Sequence, residues 1–333
     1  MEISFLSVLI SVASLVLMAI PGFVLAKCKI LPEKASEALS SVVLYGCQPF
    51  MIFMSFQGYE YSSEIGVNML IVFGAALVVH LVMFGIVALV FRNKEDVKTK
   101  TLRYGGTFSN CGFMGLPFLA MLFNGKPEAG EILIYASVVI AVFNLMNWTV
   151  GVFFMTGNFK ETSVKKILLN PCIISIAAGI LVFVTLKKPI VEIAAVGTVW
   201  REVLEKLTSA LNFLASAVTP LSMIVIGIKM SDISFKQLLL DKRAYAASAM
   251  KLIVMSFVSI LAVAFLPVSS AIKYAVFLLL SMPSATSTAL FALRFGGDAE
   301  FSTVCVLLST ILSIITLPLM FLVMNGVFGI PVV

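Results

Sequence analysis

Two apolar stretches, each long enough to enter a membrane, are interrupted in the middle by residues that break helices. The first, residues 108–119, carries four of them, Asn110, Gly112, Gly115 and Pro117. The second, residues 278–290, is interrupted around Pro283. Proline removes an amide donor and clashes with the carbonyl four residues back, and glycine weakens a helix. Interrupted segments at matching places in two halves of a chain point to the binding site of a secondary transporter.

Composition places the whole chain in a membrane. Of its 333 residues, 60% are hydrophobic and 12% are charged, whereas about a quarter of a soluble domain is charged. Apolar runs of about 18 residues or more predict ten membrane-spanning helices. We place them at 5–27, 36–56, 65–91, 104–123, 130–155, 167–186, 205–228, 244–266, 271–292 and 302–328. Residues 187–204 are expected to form an amphipathic connection that lies on the membrane.

The basic residues predict the orientation of the chain. Most of the 23 Lys and Arg residues lie in the loops that follow the odd-numbered spans. The positive-inside rule places those loops in the cytoplasm, so both termini are expected outside the cell membrane. The net charge of +6 is therefore a topological signal in a lipid-embedded protein, and it does not indicate nucleic-acid binding.

Several classes of chemistry are disfavoured. The five cysteines are scattered and form no C-x-x-C motif, so neither a disulfide framework nor a metal site is indicated. We expect no cofactor. The chain contains no H-E-x-x-H motif, no embedded aspartate pair and no serine–histidine constellation, so an enzyme is not expected. All 17 Asp and Glu residues lie in loops, at span ends or in the 187–206 connection, which disfavours a carboxylate proton relay.

The order of the spans predicts an internal repeat. Residues 1–155 and 156–333 each hold five spans, and an odd number of spans makes the two halves inverted in the membrane. Pro117 and Pro283 are 166 residues apart, in the fourth span of each half. Gln48–Pro49 in span two resembles Thr219–Pro220 in span seven. The same shift places Asn144 on Thr310 and Asn147 on Ser313.

The two interruptions predict an anion site. A helix interrupted in the membrane has an inner N-terminus with free amides and about half a positive charge. Two interrupted helices that cross at the membrane centre would focus this potential on one place, where a carboxylate can bind. Hydrogen bonds would come from Asn110, Ser281, Ser284, Thr286 and Ser287. The structural alternative is a pair of kinked helices whose small residues allow close packing.

Other polar residues inside the spans have two interpretations each. Inside its span, Lys251 must snorkel, pair with carbonyls, deprotonate or face an aqueous cavity. We expect it to snorkel towards the cytoplasmic surface, or to be a counter-charge for an entering anion. His80 is a hydrogen-bonded packing residue, or it senses protons or gates transport. Asn144 and Asn147 share one face of span five and form either a helix–helix contact or the wall of a substrate cavity. Gln48, beside Pro49, belongs to the same group of candidates.

Two sequence blocks resemble the auxin efflux carrier family, and in particular its bacterial members of the malonate and malate permease group. They are residues 110–117 (NCGFMGLP) and residues 282–290 (MPSATSTAL), the second followed by residues 295–300 and 309–318. The resemblance covers essentially the whole chain. It implies two inverted repeats with crossed, broken helices in spans four and nine.

The resemblance also implies how such a protein works. Spans 1, 2, 6 and 7 would form a scaffold through which two copies dimerise. Spans 3–5 and 8–10 would form a unit that moves like an elevator and carries organic anions. The substrate would lie at the crossover, at places that match Asn110, Pro117, Pro283, Gln48 and Asn144.

The sequence therefore predicts an all-helical membrane carrier for a small organic anion. Sodium held by hydroxyls and by carbonyls of an unwound helix stays possible. A sodium-coupled organic-anion symporter of the bile-acid type is thus one alternative. A membrane ligand sensor without transport is the other.

Overall fold

A computed structural model of the chain describes residues 5–93, 96–161, 165, 168–231, 233, 238 and 240–327. These residues form helices joined by short loops. In chain order the helices are α1 (Phe5–Lys27), α2 (Ala35–Ser55), α3 (Ser63–Val90), α4 (Val97–Thr107), α5 (Cys111–Leu122), α6 (Ala129–Thr156), α7 (Pro171–Leu186), α8 (Val199–Ser231), α9 (Lys242–Ala264), α10 (Ser270–Leu280), α11 (Ser287–Phe295) and α12 (Ala299–Val327).

The all-helical membrane fold is confirmed at the level of its helices. In the described part of the chain, eight segments are long and apolar enough to cross a membrane. They contain α1, α2, α3, α6, α7, α8, α9 and α12. The pairs α4–α5 and α10–α11 cover the two remaining predicted spans, each in two shorter pieces. The ten-span arrangement as two inverted repeats stays a prediction.

Two predicted boundaries differ from the structure. Span four was expected to begin at residue 104, but α4 begins at Val97. Its first turns carry Lys98, Lys100 and Arg103, so an apolar run does not reveal them. The expected surface connection at 187–204 also differs, because only Ile190–Ile193 forms a short 3₁₀ turn and α8 already begins at Val199. The Thr198 hydroxyl starts that helix by accepting from the Arg201 amide at 3.2 Å.

The helices pack in two sets. In one set, α1 packs against the second half of α8, and α2 packs against α7 and the first half of α8. In the other set, α6 contacts α3 and α10, while α9 contacts α3, α4, α10 and α12. The N-terminal half of α1 also contacts α12 and so joins the two sets.

The contact between α1 and α8 is made by backbone against backbone. A side chain at Gly227 would collide with the carbonyl of Ala19 and would come within 2.8 Å of the Phe23 amide nitrogen. A side chain at Gly22 would collide in the same way with the carbonyl of Ile224. Small residues at such positions let membrane helices approach closely and gain van der Waals contact.

The N-termini of α4 and α9 are tied together by their cap residues. Asp96 Oδ2 accepts from the Thr99 amide at 2.9 Å, from the Thr99 hydroxyl at 2.6 Å and from Arg243 Nη1 at 2.7 Å. Asp241 accepts from the Arg243 amide at 3.0 Å and from Lys98 Nζ at 3.4 Å. The Thr99 hydroxyl above all, with the Thr99 amide and Arg243, lowers the pKa of Asp96.

We predict that Gly227→Ala lowers the free energy of unfolding by roughly 1–3 kcal/mol, because the added methyl group overpacks a backbone contact. Thermal unfolding of the purified protein in detergent measures this change. Gly85→Ala is the matched control, since Gly85 in α3 has open space where its side chain would lie. Equal melting temperatures for the two variants would contradict the close contact between α1 and α8.

We predict that Asp96→Ala lowers stability at pH 7 by about 1 kcal/mol or less, because a helix cap is lost at a partly exposed site. The folded-state pKa of Asp96 lies below its unfolded value of about 3.9. Its contribution is therefore complete above that value and is lost as the pH falls through the folded pKa.

The gap between the melting curves of wild type and Asp96→Ala should narrow as the pH falls from 7 to 3. Glu128→Ala is the control, because Glu128 precedes α6 without a capping bond from its side chain. A gap between wild type and Asp96→Ala that widens in acid would contradict this assignment.

Candidate functional site

Two short non-helical segments lie next to each other. The first is residues 108–110, between α4 and α5. The second is residues 281–286, between α10 and α11, and it includes Pro283. We call them the first and the second break.

Of the four residues expected to interrupt span four, Asn110 lies in the first break and Pro117 does not. Pro117 is the second residue of a regular α-helical segment, Leu116–Leu122, and the non-helical residues precede it. Between the non-helical residues and this segment, Cys111–Gly115 forms a π-helical turn. Proline has no amide donor and therefore removes one helical hydrogen bond at this point of α5. The wider π turn accommodates the change in hydrogen bonding that the proline requires.

The two breaks hydrogen-bond to each other through their backbones. The Asn110 amide donates to the Pro283 carbonyl at 2.8 Å, and the Ala285 amide donates to the Phe108 carbonyl at 2.9 Å. Between these bonds, Ser109 lies opposite Ser284 in an antiparallel bridge. Inside a membrane an unpaired backbone group costs several kcal/mol, so each break satisfies polar groups of the other.

The two serines at the centre bond to the helix ends in a reciprocal way. The Ser109 hydroxyl donates to the Leu280 carbonyl, at the end of α10, at 2.9 Å. The Ser284 hydroxyl donates to the Gly105 carbonyl, in the last turn of α4, at 2.7 Å. Each serine therefore binds the C-terminal end of the half-helix that belongs to the other break.

This reciprocity corrects the predicted register between the two halves. Ser109 and Ser284 are 175 residues apart (109 to 284), and Gly105 and Leu280 have the same separation. In this register Pro283 corresponds to Phe108 and not to Pro117. The two prolines that are 166 residues apart therefore hold different places, since Pro283 lies in the second break and Pro117 lies in α5. The matches of Asn144 with Thr310 and of Asn147 with Ser313 rested on the 166-residue shift and stay predictions.

Four of the predicted substrate-binding residues have a buried polar atom without a hydrogen-bond partner in the described structure. They are Gln48 (Oε1), Asn110 (Nδ2), Ser281 (Oγ) and Thr286 (Oγ1). Asn110 and Thr286 are the N-cap residues of α5 and α11, and neither side chain makes a capping bond. A cap side chain ordinarily accepts from an amide of the first turn. A buried polar group left unsatisfied costs about 1–3 kcal/mol, so these atoms are available to a ligand.

The glycines of the first break are required by close approach. A side chain at Gly112 would coincide with the side-chain nitrogen of Gln48. The side-chain amide of Gln48, in α2, therefore lies directly against the start of α5. A side chain at Gly115 would collide with Leu279 and would lie 3.1 Å from Met282 Cγ. Both glycines thus bring neighbouring segments to the break, and neither has a positive φ.

Three other predicted site residues form hydrogen bonds with neighbouring segments: Ser284, Asn144 and Asn147. The Ser284 amide also donates to the Ser309 hydroxyl, at 3.0 Å. Asn144 donates to the carbonyl four residues earlier at 2.9 Å and accepts from Asn170, the cap of α7, at 3.1 Å. The Asn147 oxygen accepts from the Tyr104 hydroxyl of α4.

Both asparagines thus make contacts between helices, which is one of the two interpretations of their shared face, and the cavity-wall interpretation stays a prediction. Tyr104 continues the connection to the second break, since its hydroxyl lies 3.0 Å from the Ser287 hydroxyl.

The expectation that Lys251 snorkels to the surface is wrong. Its side chain is fully buried. Its ammonium donates to the Leu280 carbonyl at 2.5 Å and lies 3.2 Å from the Met255 sulfur. A π-helical turn at Met250–Val254 lies at this point of α9. Lys251 therefore reaches the second break.

His80 lies beside the first break. Its ring nitrogen Nδ1 hydrogen-bonds to the Ala76 carbonyl at 2.8 Å, and its ring centre is 6.0 Å from that of Phe108. The other ring nitrogen, Nε2, is buried without a partner in the described structure. The packing interpretation and the gating interpretation both remain compatible with this position.

Sequence reasoning missed Ser109, Ser309, Tyr104 and Ser222. The position of Ser109 beside the break was the one available signal, because Ser309 and Ser222 lie inside apolar helices and Tyr104 follows the basic first turns of α4. Ser222 follows Pro220 in α8, which contacts the Cys111–Gly115 turn, and its hydroxyl is buried without a partner in the described structure.

A separate cleft of about 340 Å³ lies at the N-terminal end of α3. Its lining includes Glu60, Glu64, Asn68 and Glu131, and Glu131 accepts from the Tyr135 hydroxyl at 2.7 Å. None of the predicted site residues lines it. Its three carboxyl groups would repel an anion, so this cleft is a different environment from the breaks.

Comparison with known proteins identifies the family. A family profile described as "Membrane transport protein", which comprises the auxin efflux carriers, matches residues 7–166 and 155–321. An uncharacterized transporter of Methanothermobacter thermautotrophicus is 22% identical over 313 residues, which cover 93% of this chain and 96% of that protein. An uncharacterized transporter of Methanocaldococcus jannaschii is 26% identical over 210 residues, which cover 62% of this chain and 64% of that protein. The chain is a multi-pass membrane transporter that belongs to the auxin efflux carrier family.

Proposed function

We propose that this protein is a secondary carrier of small organic anions, carboxylates above all, which bind where the two breaks meet. The observation that carries the proposal is the group of buried donor atoms without a partner in the described structure, Asn110 Nδ2, Ser281 Oγ and Thr286 Oγ1. Two of these residues are the N-caps of α5 and α11. The free atom of Gln48, Oε1, accepts hydrogen bonds and would not bind the carboxylate directly.

The chemistry of the breaks favours an anion. Helix N-termini carry about half a positive charge each and present free amides. The C-terminal ends of α4 and α10 are occupied by Ser284, Ser109 and Lys251. The partial negative charges at the C-terminal ends of α4 and α10 therefore have partners within the protein. The positive N-terminal ends of α5 and α11, with their cap side chains, would remain for a carboxylate.

The proposal includes alternating access by an elevator-like movement. Spans 1, 2, 6 and 7 would be the scaffold and dimer interface, and spans 3–5 and 8–10 the moving unit. Packing of α1 with α8 and of α2 with α7 and α8 supports the first group, and packing of α9 with α3, α10 and α12 supports the second. Two inverted five-span repeats, residues 1–155 and 156–333, would cross at the breaks. Both termini would face outward from the cell membrane.

The test is thermal stability of the purified protein with mono- and dicarboxylates and indole acids, in sodium and in choline salts. A ligand that binds the folded state alone raises stability by roughly 2.7 kcal/mol at a hundredfold excess over its dissociation constant. Stabilisation by one class of anion, with flux of that anion in liposomes, is expected. Binding without flux would indicate a sensor, and stabilisation by cations or neutral solutes alone would reject the anion site.

We predict that Asn110→Ala and Thr286→Val each weaken anion binding about ten- to a hundredfold, as expected for the loss of one hydrogen bond to a charged group. Their melting temperatures without ligand should change little, because neither polar atom has a partner in the described structure.

Thr310→Val is the matched control for Thr286→Val. The Thr310 side chain is buried, and its hydroxyl already donates to the Val306 carbonyl at 2.7 Å. This variant should bind anions like wild type. Normal binding by both Asn110→Ala and Thr286→Val would reject the site at the breaks.

A further inference from the structure

We propose that Lys251 is a built-in cation, which occupies the place where a sodium-coupled carrier with broken helices would hold its ion. The inference rests on the proposed function, and it specifies that anion binding needs no sodium. Lys251 acts as a positioning residue, because its ammonium holds the second break in the shape that the anion requires.

The Lys251 ammonium lies where a coupling cation would be bound. Leu280 is the last residue of α10, and its carbonyl points out of the helix at the second break. Helix C-termini carry about half a negative charge. In transporters with broken helices, half-helix C-termini and unwound carbonyls coordinate the coupling cation. Here the same type of carbonyl receives the Lys251 ammonium at 2.5 Å and the Ser109 hydroxyl at 2.9 Å.

The C-terminal end of α4, at the first break, has different partners. The Gly105 carbonyl of α4 accepts from the Ser284 hydroxyl, and the other buried basic side chain near it, Arg103, donates instead to the Phe91 carbonyl at the end of α3. Of the two half-helix C-termini at the breaks, the described structure thus places a basic side chain on the end of α10 alone. The positive charge of a basic side chain is therefore found at the second break and not at the first in the described structure.

The charge of Lys251 has no anionic partner in the described structure. Its two polar contacts are a carbonyl oxygen and a thioether sulfur, and none of the four ion pairs includes it. A buried ammonium without a counter-charge is costly inside a membrane. Ser281, whose hydroxyl is free, follows Leu280 directly. A carboxylate at the breaks would supply the missing negative charge within the same segment.

The wild-type protein gives the first test. Anion-induced stabilisation and anion flux should be equal in sodium and in choline chloride. A wild-type protein that binds its anion in sodium and not in choline would overturn the inference and leave the proposed carrier function intact. A wild-type protein that binds no anion would instead overturn the carrier function.

Substitution gives the second test. Lys251→Met should weaken anion binding about ten- to a hundredfold, because a hydrogen-bonded charge is lost. Lys273→Met, in the first turn of α10, removes the same charge at the opposite end of that helix and should bind anions like wild type. Normal anion binding by Lys251→Met would overturn the inference.

The third test adds a free cation to a variant that lacks the Lys251 ammonium. It distinguishes a cation site from a purely structural role of Lys251, and it can be done without an anion. Lys251→Ala leaves space beside the Leu280 carbonyl, so methylammonium or sodium should raise its melting temperature more than that of wild type. The same cations should restore part of its anion binding. No selective stabilisation of Lys251→Ala by either cation would overturn the cation site, whatever the outcome with anions.

Discussion

The structure depends on the pair of backbone hydrogen bonds that join residues 108–110 to residues 283–285. A helix that breaks inside a membrane exposes amides and carbonyls to a medium without water, and each orphan group is costly. Here the bonds from Asn110 to Pro283 and from Ala285 to Phe108 remove this cost for both breaks at once. The breaks are therefore tolerated because they are paired, and the helices around them are placed by that pairing.

The pairing also sorts the polar groups at the breaks into satisfied and unsatisfied ones. Hydroxyls and one ammonium satisfy the carbonyl ends of α4 and α10, through Ser284, Ser109 and Lys251. The cap side chains of Asn110 and Thr286 keep free polar atoms. The proposed anion site would thus need no embedded carboxylate, because the polarity of the half-helices and the choice of which end is satisfied would define the charge of the ligand.

The existence of two interrupted spans could be predicted from the sequence, since proline and glycine in apolar runs act locally. The details could not. Pro117 lies in a helix because a preceding π turn accommodates it, and a π turn has no sequence signature of its own. The partner of Lys251 is a backbone carbonyl 29 residues away, and any residue type supplies a carbonyl. The spacing of Asn144 and Asn147 indicated a shared face, yet Asn170 and Tyr104 on other helices decide where each amide bonds.

The reciprocal pairing has a consequence for how the protein is made. Residues 108–110 enter the membrane well before residues 283–285 are synthesised, since 175 residues separate the two central serines (109 to 284). During that interval the Asn110 amide and the Phe108 carbonyl lack the partners that they have in the finished fold. The helices α1 to α5 alone are consequently an incomplete unit, and the first break is completed only when the second one has been made.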